Sequence, residues 1–224
     1  DPDYLMTPAR IRAMENRLLT RERLDRMIDA RDDSEARKVL AECGYREDVS
    51  LDEALRQARA QVFYDLEHAV PDPRLVGIFQ IKYDYHNAKA IVKAEAVGAD
   101  PERLLLAGGR YDPRELLERW RREERLPGAQ EFVRAMEQAK AVLADSRDPQ
   151  QADLLLDRAC YEEMGRLARE LDSPFLQGYV RLSVDAANLR AAVRIHRMGK
   201  EGEFLRQALL PGGNVPPQTV AAAR

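Results

Sequence analysis

Asp84 and Asn87 stand three residues apart, and Asp185 and Asn188 repeat that spacing. On a helix, residues three apart share a face, so each pair sets a carboxylate beside a carboxamide. Such a pair can ligate a metal ion, act as a general base, or bond the backbone of a neighbouring segment. Each acid also falls on an apolar stripe: Asp84 with Gly77, Ile81, Ala88 and Ile91, and Asp185 with Gly178, Leu182, Leu189 and Ala192. A carboxylate on such a stripe must find partners as it leaves water. Neither copy carries Glu-x-x-His, and the positions equivalent to His86 and His196 are Ala187 and Glu95. The pair recurs while no nucleophile or metal ligand recurs with it. The residues therefore favour a structural reading, in which each Asp-Asn pair bonds a helix terminus or loop and sets helix register.

The remaining chemistry-bearing residues support no site. His68, His86 and His196 have no histidine partner at helical spacing, and no Cys-x-x-Cys occurs, so neither a zinc nor a di-iron centre is expected. Cys43 and Cys160 read as small core residues and fit a reducing, cytosolic compartment. The glycine pairs Gly108-Gly109 and Gly212-Gly213 lack the Gly-Lys-Ser/Thr ending of a nucleotide loop and follow no strand, so they read as tight turns. Between Arg114 and Arg125 five arginines interleave with four glutamates. That segment reads as a solvated face of i,i+4 pairs, with a docking surface for an acidic partner as the sharper alternative. Catalytic residues, metal ligands and cofactors are accordingly expected to be none.

The elements that position these residues come in two copies. Ile81 to Gly98 (IKYDYHNAKAIVKAEAVG) aligns without a gap on Leu182 to Gly199 (LSVDAANLRAAVRIHRMG), a spacing of 101 residues from Asp84 to Asp185. Lys89 and Lys93 meet Arg190 and Arg194 in the same alignment. Upstream, Asp52, Leu55, Ala58, Leu66 and Pro73 face Asp153, Leu156, Ala159, Leu167 and Pro174. Each copy reads as an amphipathic helix, a proline break and a long helix stopped by glycine: Leu51–Ala69 then a helix to about Val97, and Ala152–Leu171 then a helix to Gly199. A short helix and a paired-glycine turn follow each copy, as Leu104–Tyr111 and Ala208–Val215. Three helices precede the first copy, over Pro8–Leu19, Glu22–Ala30 and Ser34–Cys43, and Tyr111–Glu124 follows it. No helix is read between Glu124 and Ala152. Period-two alternation is almost absent, so the expected class is all-α, built of tandem modules of about 100 residues with pseudo-symmetric packing. The expected division is 1–50 for the N-terminal helices, 51–125 for the first repeat and 126–224 for the second.

Composition sets the outer limits. With 45% hydrophobic and 33% charged residues in 224, the chain can bury a core, and its net charge of -3 leaves no basic excess for nucleic acid. No apolar run approaches the ~18 residues of a membrane span. Two general classes fit these limits poorly. A peptide-binding helical-repeat adaptor has periods of about 34–47 residues. A helical-bundle enzyme needs glutamate and histidine ligands that are missing.

One family shares the doubled segment. YDYHNAKAIVKAEAVG (Tyr83–Gly98) resembles the Asp-x-His-Asn-Leu-Lys segment of the C/d subunit family of rotary V-type and archaeal-type ATPases. VDAANLRAAVRI (Val184–Ile195) resembles the matching segment of that family's second repeat, and YLMTPARIRAMENRLLT (Tyr4–Thr20) is similar to its N-terminal helix. The resemblance implies an all-helical protein of three modules arranged with pseudo-threefold symmetry as a funnel. This chain carries two, and the third is expected beyond Arg224. It further implies a non-catalytic rotor subunit that caps the membrane proteolipid ring, seats the central shaft and passes torque, at the cytoplasmic face of a prokaryotic membrane. A helical-repeat scaffold for protein–protein interaction is the alternative.

Overall fold

Caps and breakers decide where the helices of this computed structural model begin and end. The structure describes residues 4–199 and 202–222, and no strand occurs among them. Among the described residues, eleven α-helices run as α1 (Thr7–Glu15), α2 (Arg21–Ile28), α3 (Asp33–Glu42), α4 (Leu51–Glu67), α5 (Arg74–Ala96), α6 (Pro113–Arg121), α7 (Gln130–Ser146), α8 (Pro149–Glu170), α9 (Pro174–Arg197), α10 (Glu203–Ala208) and α11 (Pro217–Ala222). Thr20, Asp32, Ser50, Asp148 and Ser173 each accept a backbone N–H of the first turn of the helix that follows. Pro149 and Pro174 occupy the first helical position, where a missing N–H costs nothing.

The chain divides into two compact units, Asp1–Gln80 with Leu106–Asp112, and Ile81–Leu105 with Pro113–Arg224. In the first, Arg26 of α2 grips Glu42 of α3 with two hydrogen bonds of 2.8 and 2.7 Å. The Arg37 guanidinium donates to the carbonyl of Val49, closing the approach to α4, and Thr7 at the start of α1 donates to the carbonyl of Ala69. Val39, Leu40, Cys43 and Ala54 are buried.

The second unit is centred on α8. Ala152, Leu156, Cys160, Met164 and Ala168 step along it every four residues and are all buried, facing Phe132, Met136 and Ala139 of α7 and Leu176, Val180 and Val184 of α9. Rows of this spacing form the ridges by which helices interlock.

Three expectations are corrected in detail, and one contrast between the copies is new. The first helix stops at Glu15 rather than Leu19, because Asn16–Leu18 leave the helix as a turn. The first glycine turn is preceded by a single 3-10 turn over Glu102–Leu104, not a helix matching α10. Seventeen residues read as connection form α7, whose buried Phe132, Ala135, Met136, Ala139 and Leu143 carry a plain helical period. The amphipathic stripes of α4 and α8 also differ in burial: Leu55 is 40% exposed, while its repeat counterpart Leu156 is fully buried.

That contrast predicts unequal costs for one substitution. Leu156→Ala should lower the unfolding free energy by about 2–5 kcal/mol. Leu55→Ala should cost less than about 1 kcal/mol, since its side chain is already partly in water. Urea titrations followed by circular dichroism measure both.

Candidate functional site

The polar residues singled out from sequence lie in the middle of the two long helices. Asp84 and Asn87 of α5 are fully buried; Asp185 and Asn188 of α9 are nearly so. In the second copy the partners are backbone groups of the glycine turn. The Asn188 side-chain amide donates to the Leu210 carbonyl at 2.9 Å, and the Leu210 N–H returns a hydrogen bond to Asn188 Oδ1 at 2.7 Å. One turn earlier, Asp185 Oδ1 accepts the Val215 N–H at 3.0 Å, and Oδ2 accepts both the backbone and side-chain amides of Asn214 at 3.1 and 2.9 Å. The strap from Ala208 to Val215 is thereby stitched to α9 at two points, with Ala208, Leu209 and Leu210 buried beneath it.

This geometry explains the glycines. Gly212 takes φ of +95°, which a side chain disfavours, and turns the strap back toward α9. A Cβ on Gly213 would collide with Asp185 Oδ1 and crowd Val184 Cγ1 at 3.3 Å. The N–H bonds from Val215 and Asn214 outweigh the desolvation of Asp185 and hold its carboxyl below the usual carboxylate range. Its lone pairs are spent on donors, so it is poorly suited to serve as a base.

A second constellation went unread in the sequence. Along α5, Tyr85, Lys89 and Lys93 project at successive turns toward α8. Tyr85 Oη donates to Glu163 at 2.9 Å, Lys89 Nζ to Asp157 at 2.5 Å and Lys93 Nζ to Asp153 at 3.0 Å. The Tyr85 ring meets Phe132 of α7 edge-on, with centroids 5.1 Å apart. At the end of α5, Glu95 accepts from the Trp120 indole at 2.7 Å and from Lys140 at 2.6 Å. Burial works to raise Glu95, and those two donors outweigh it, leaving the carboxyl lowered. The signal was present: Asp153 and Asp157 sit four apart, matching the four-residue spacing of Lys89 and Lys93.

The other candidates are dispersed. The His68 ring lies 2.8 Å from the Tyr64 carbonyl, and the His86 ring 3.1 Å from the Leu104 carbonyl, while His196 is exposed on α9. Burial pushes the Cys160 thiol up to about 12, so it stays protonated at neutral pH. Cys43 is also buried. In the arginine-rich segment, Arg119 pairs with Glu115 within α6, whereas Arg114 and Arg121 reach Glu102 and Asp100. No group of three or more His, Cys, Asp or Glu that could hold a metal occurs among the described residues. No helix among them is long and apolar enough to cross a membrane.

Three outcomes follow from the strap. Asn188→Ala orphans the Leu210 N–H and carbonyl, and should cost about 2–4 kcal/mol in urea unfolding. Gly213→Ala must displace the strap or Asp185, and should cost about 1–3 kcal/mol. Asp185 has a folded-state pKa below its unfolded value, so its contribution is present above the ordinary carboxylate range and is lost as pH falls through the folded value. Asp185→Asn should therefore be less stable than the parent at pH 7 and lose less stability between about pH 5 and pH 2. Thermal melts across that range measure the difference.

Comparison with known proteins gives the chain a family. The family model described as ATP synthase (C/AC39) subunit matches residues 7–223. The C subunit of a V-type sodium ATPase from Enterococcus hirae is 22% identical over 216 residues, covering 94% of this chain and 66% of that protein. The C subunit of a V-type ATP synthase from Thermus thermophilus is 27% identical, covering 88% and 64%. The C subunit of an A-type ATP synthase from Thermococcus gammatolerans is 25% identical, covering 96% and 63%. The chain thus spans about two-thirds of the length of the relatives it matches. A match over nearly every residue, on a structure without strands among its described residues, places this chain in the ATP synthase (C/AC39) subunit family.

Proposed function

We propose that the chain is part of a non-catalytic central-stalk subunit of a V-type or archaeal-type ATPase. In this reading it joins the central shaft of the catalytic head to the membrane proteolipid ring and passes torque between them during ion transport. The observation that carries the reading is the family match over residues 7–223. The relatives' own names, as C subunits of a V-type sodium ATPase and of V-type and A-type ATP synthases, point the same way.

The local structure is compatible with such work. A torque coupler needs elements that do not yield, because compliant ones store rotation as strain. Asp185 and Asn188 hold the strap to α9 through five hydrogen bonds. Lys89, Lys93 and Tyr85 tie α5 to α8. In this reading Asp84, Asn87, Asp185 and Asn188 serve stiffness rather than chemistry. The repeats at 51–125 and 126–224 are two of three modules, and the protein sits peripherally at the cytoplasmic face of the membrane.

Affinity capture tests the proposal. The tagged full-length protein, incubated with detergent-solubilised membranes of its source, should retain the proteolipid ring and the central-shaft subunits together. Capture of neither would overturn it.

A further inference from the structure

The two copies agree in their scaffold and part company in one cleft. Asp185, Asn188 and Gly178 repeat Asp84, Asn87 and Gly77. The cleft where α8 and α9 meet the glycine strap, 370 Å³ in volume, keeps no such likeness in its polar lining. Its Arg158, Tyr161, Arg169, Gln177 and Arg181 stand where the first copy has Gln57, Ala60, His68, Val76 and Gln80. Three guanidinium groups are gathered at positions where the first copy has no arginine. Duplicated packing does not call for them.

Their setting suits an anion. Arg158 is held by the Gln207 carbonyl at 2.8 Å. Arg166 spends its charge on Glu131, whereas Arg169 and Arg181 join no ion pair among the described residues. Both of these arginines lie along a glycine: Arg169 Nη1 is 3.4 Å from the place of a Cβ on Gly165, and Arg181 Nη2 is 4.0 Å from that on Gly178. Gly165 stands where the first copy has Tyr64, and glycine is costly inside a helix. The wall beside Arg169 is thus cut back at the expense of α8. Against the three cations stands the carboxylate of Glu162, which leaves the lining net positive. Val180, Val184 and Leu210 add an apolar part to the same lining.

Guanidinium forks bind phosphate oxygens in pairs, which a compact ammonium does not. A cleft above about 300 Å³ has room for an organic group as well as the anion. We propose that this cleft binds a small organic phosphate, with Arg169 and Arg181 gripping the phosphate from the two helices. Arg158 adds charge, and Val180, Val184 and Leu210 receive the organic group. The inference rests on the unequal copies and not on the motor reading, so either can fail without the other.

Calorimetric titration of the full-length protein with phenyl phosphate provides the test. Saturable binding with a Kd of about 1 mM or below is expected, tighter than that of inorganic phosphate. The Arg169→Gln/Arg181→Gln double variant should weaken it about tenfold or more. Arg181→Lys, which keeps the charge and loses the fork, should weaken it severalfold. Arg197→Gln, on the exposed part of α9 outside the cleft, should leave it unchanged. All the exchanged arginines are exposed, so thermal melts of the variants should match the parent. No saturation by about 10 mM phenyl phosphate, or equal binding by the double variant, would overturn the proposal. So would capture of the parent by phosphatidylglycerol vesicles without any binding of phenyl phosphate, which would assign the arginines to a lipid headgroup.

Discussion

A polar pair inside the apolar stripe of a helix is a constraint the surrounding structure must answer. Asp185 and Asn188 cannot leave water without hydrogen-bond partners, and α9 has none to spare, because its own backbone groups are used within the helix. The strap from Ala208 to Val215 supplies them. It in turn has no regular structure of its own through the glycine turn, so its backbone N–H and carbonyl groups need the side chains of α9. Each solves the other's problem. Burial of Leu209 and Leu210 and the bareness of Gly213 follow from that closeness.

The same economy governs α5 and α8. They are joined by a polar row, where Lys89 and Lys93 meet Asp157 and Asp153. Partly exposed pairs of this kind contribute little to stability individually, about 0–1 kcal/mol. Their value is in register: a helix slipped by one residue would misalign both pairs.

Chemistry is scarce where rigidity is abundant. The Asp185 carboxyl is occupied by N–H donors, the Cys160 thiol is raised by burial, and the Lys89 and Lys93 ammonium groups are paired.

Much of this was legible in the order of residues. Helical period, the glycine stops and the doubling of Asp84–Asn87 as Asp185–Asn188 are local properties, set within a few residues. α7 was legible too and went unread, since Phe132, Met136, Ala139 and Leu143 keep a helical period. What the order of residues could not decide is which of two equal faces is covered. Leu55 and Leu156 look alike in sequence, as do Ala88 and Leu189 with their flanking cations, yet one of each is buried and the other is not. Burial depends on segments far away along the chain, and that the glycine turn is what receives Asp185 emerges only when residues 29 and 30 positions apart are brought together.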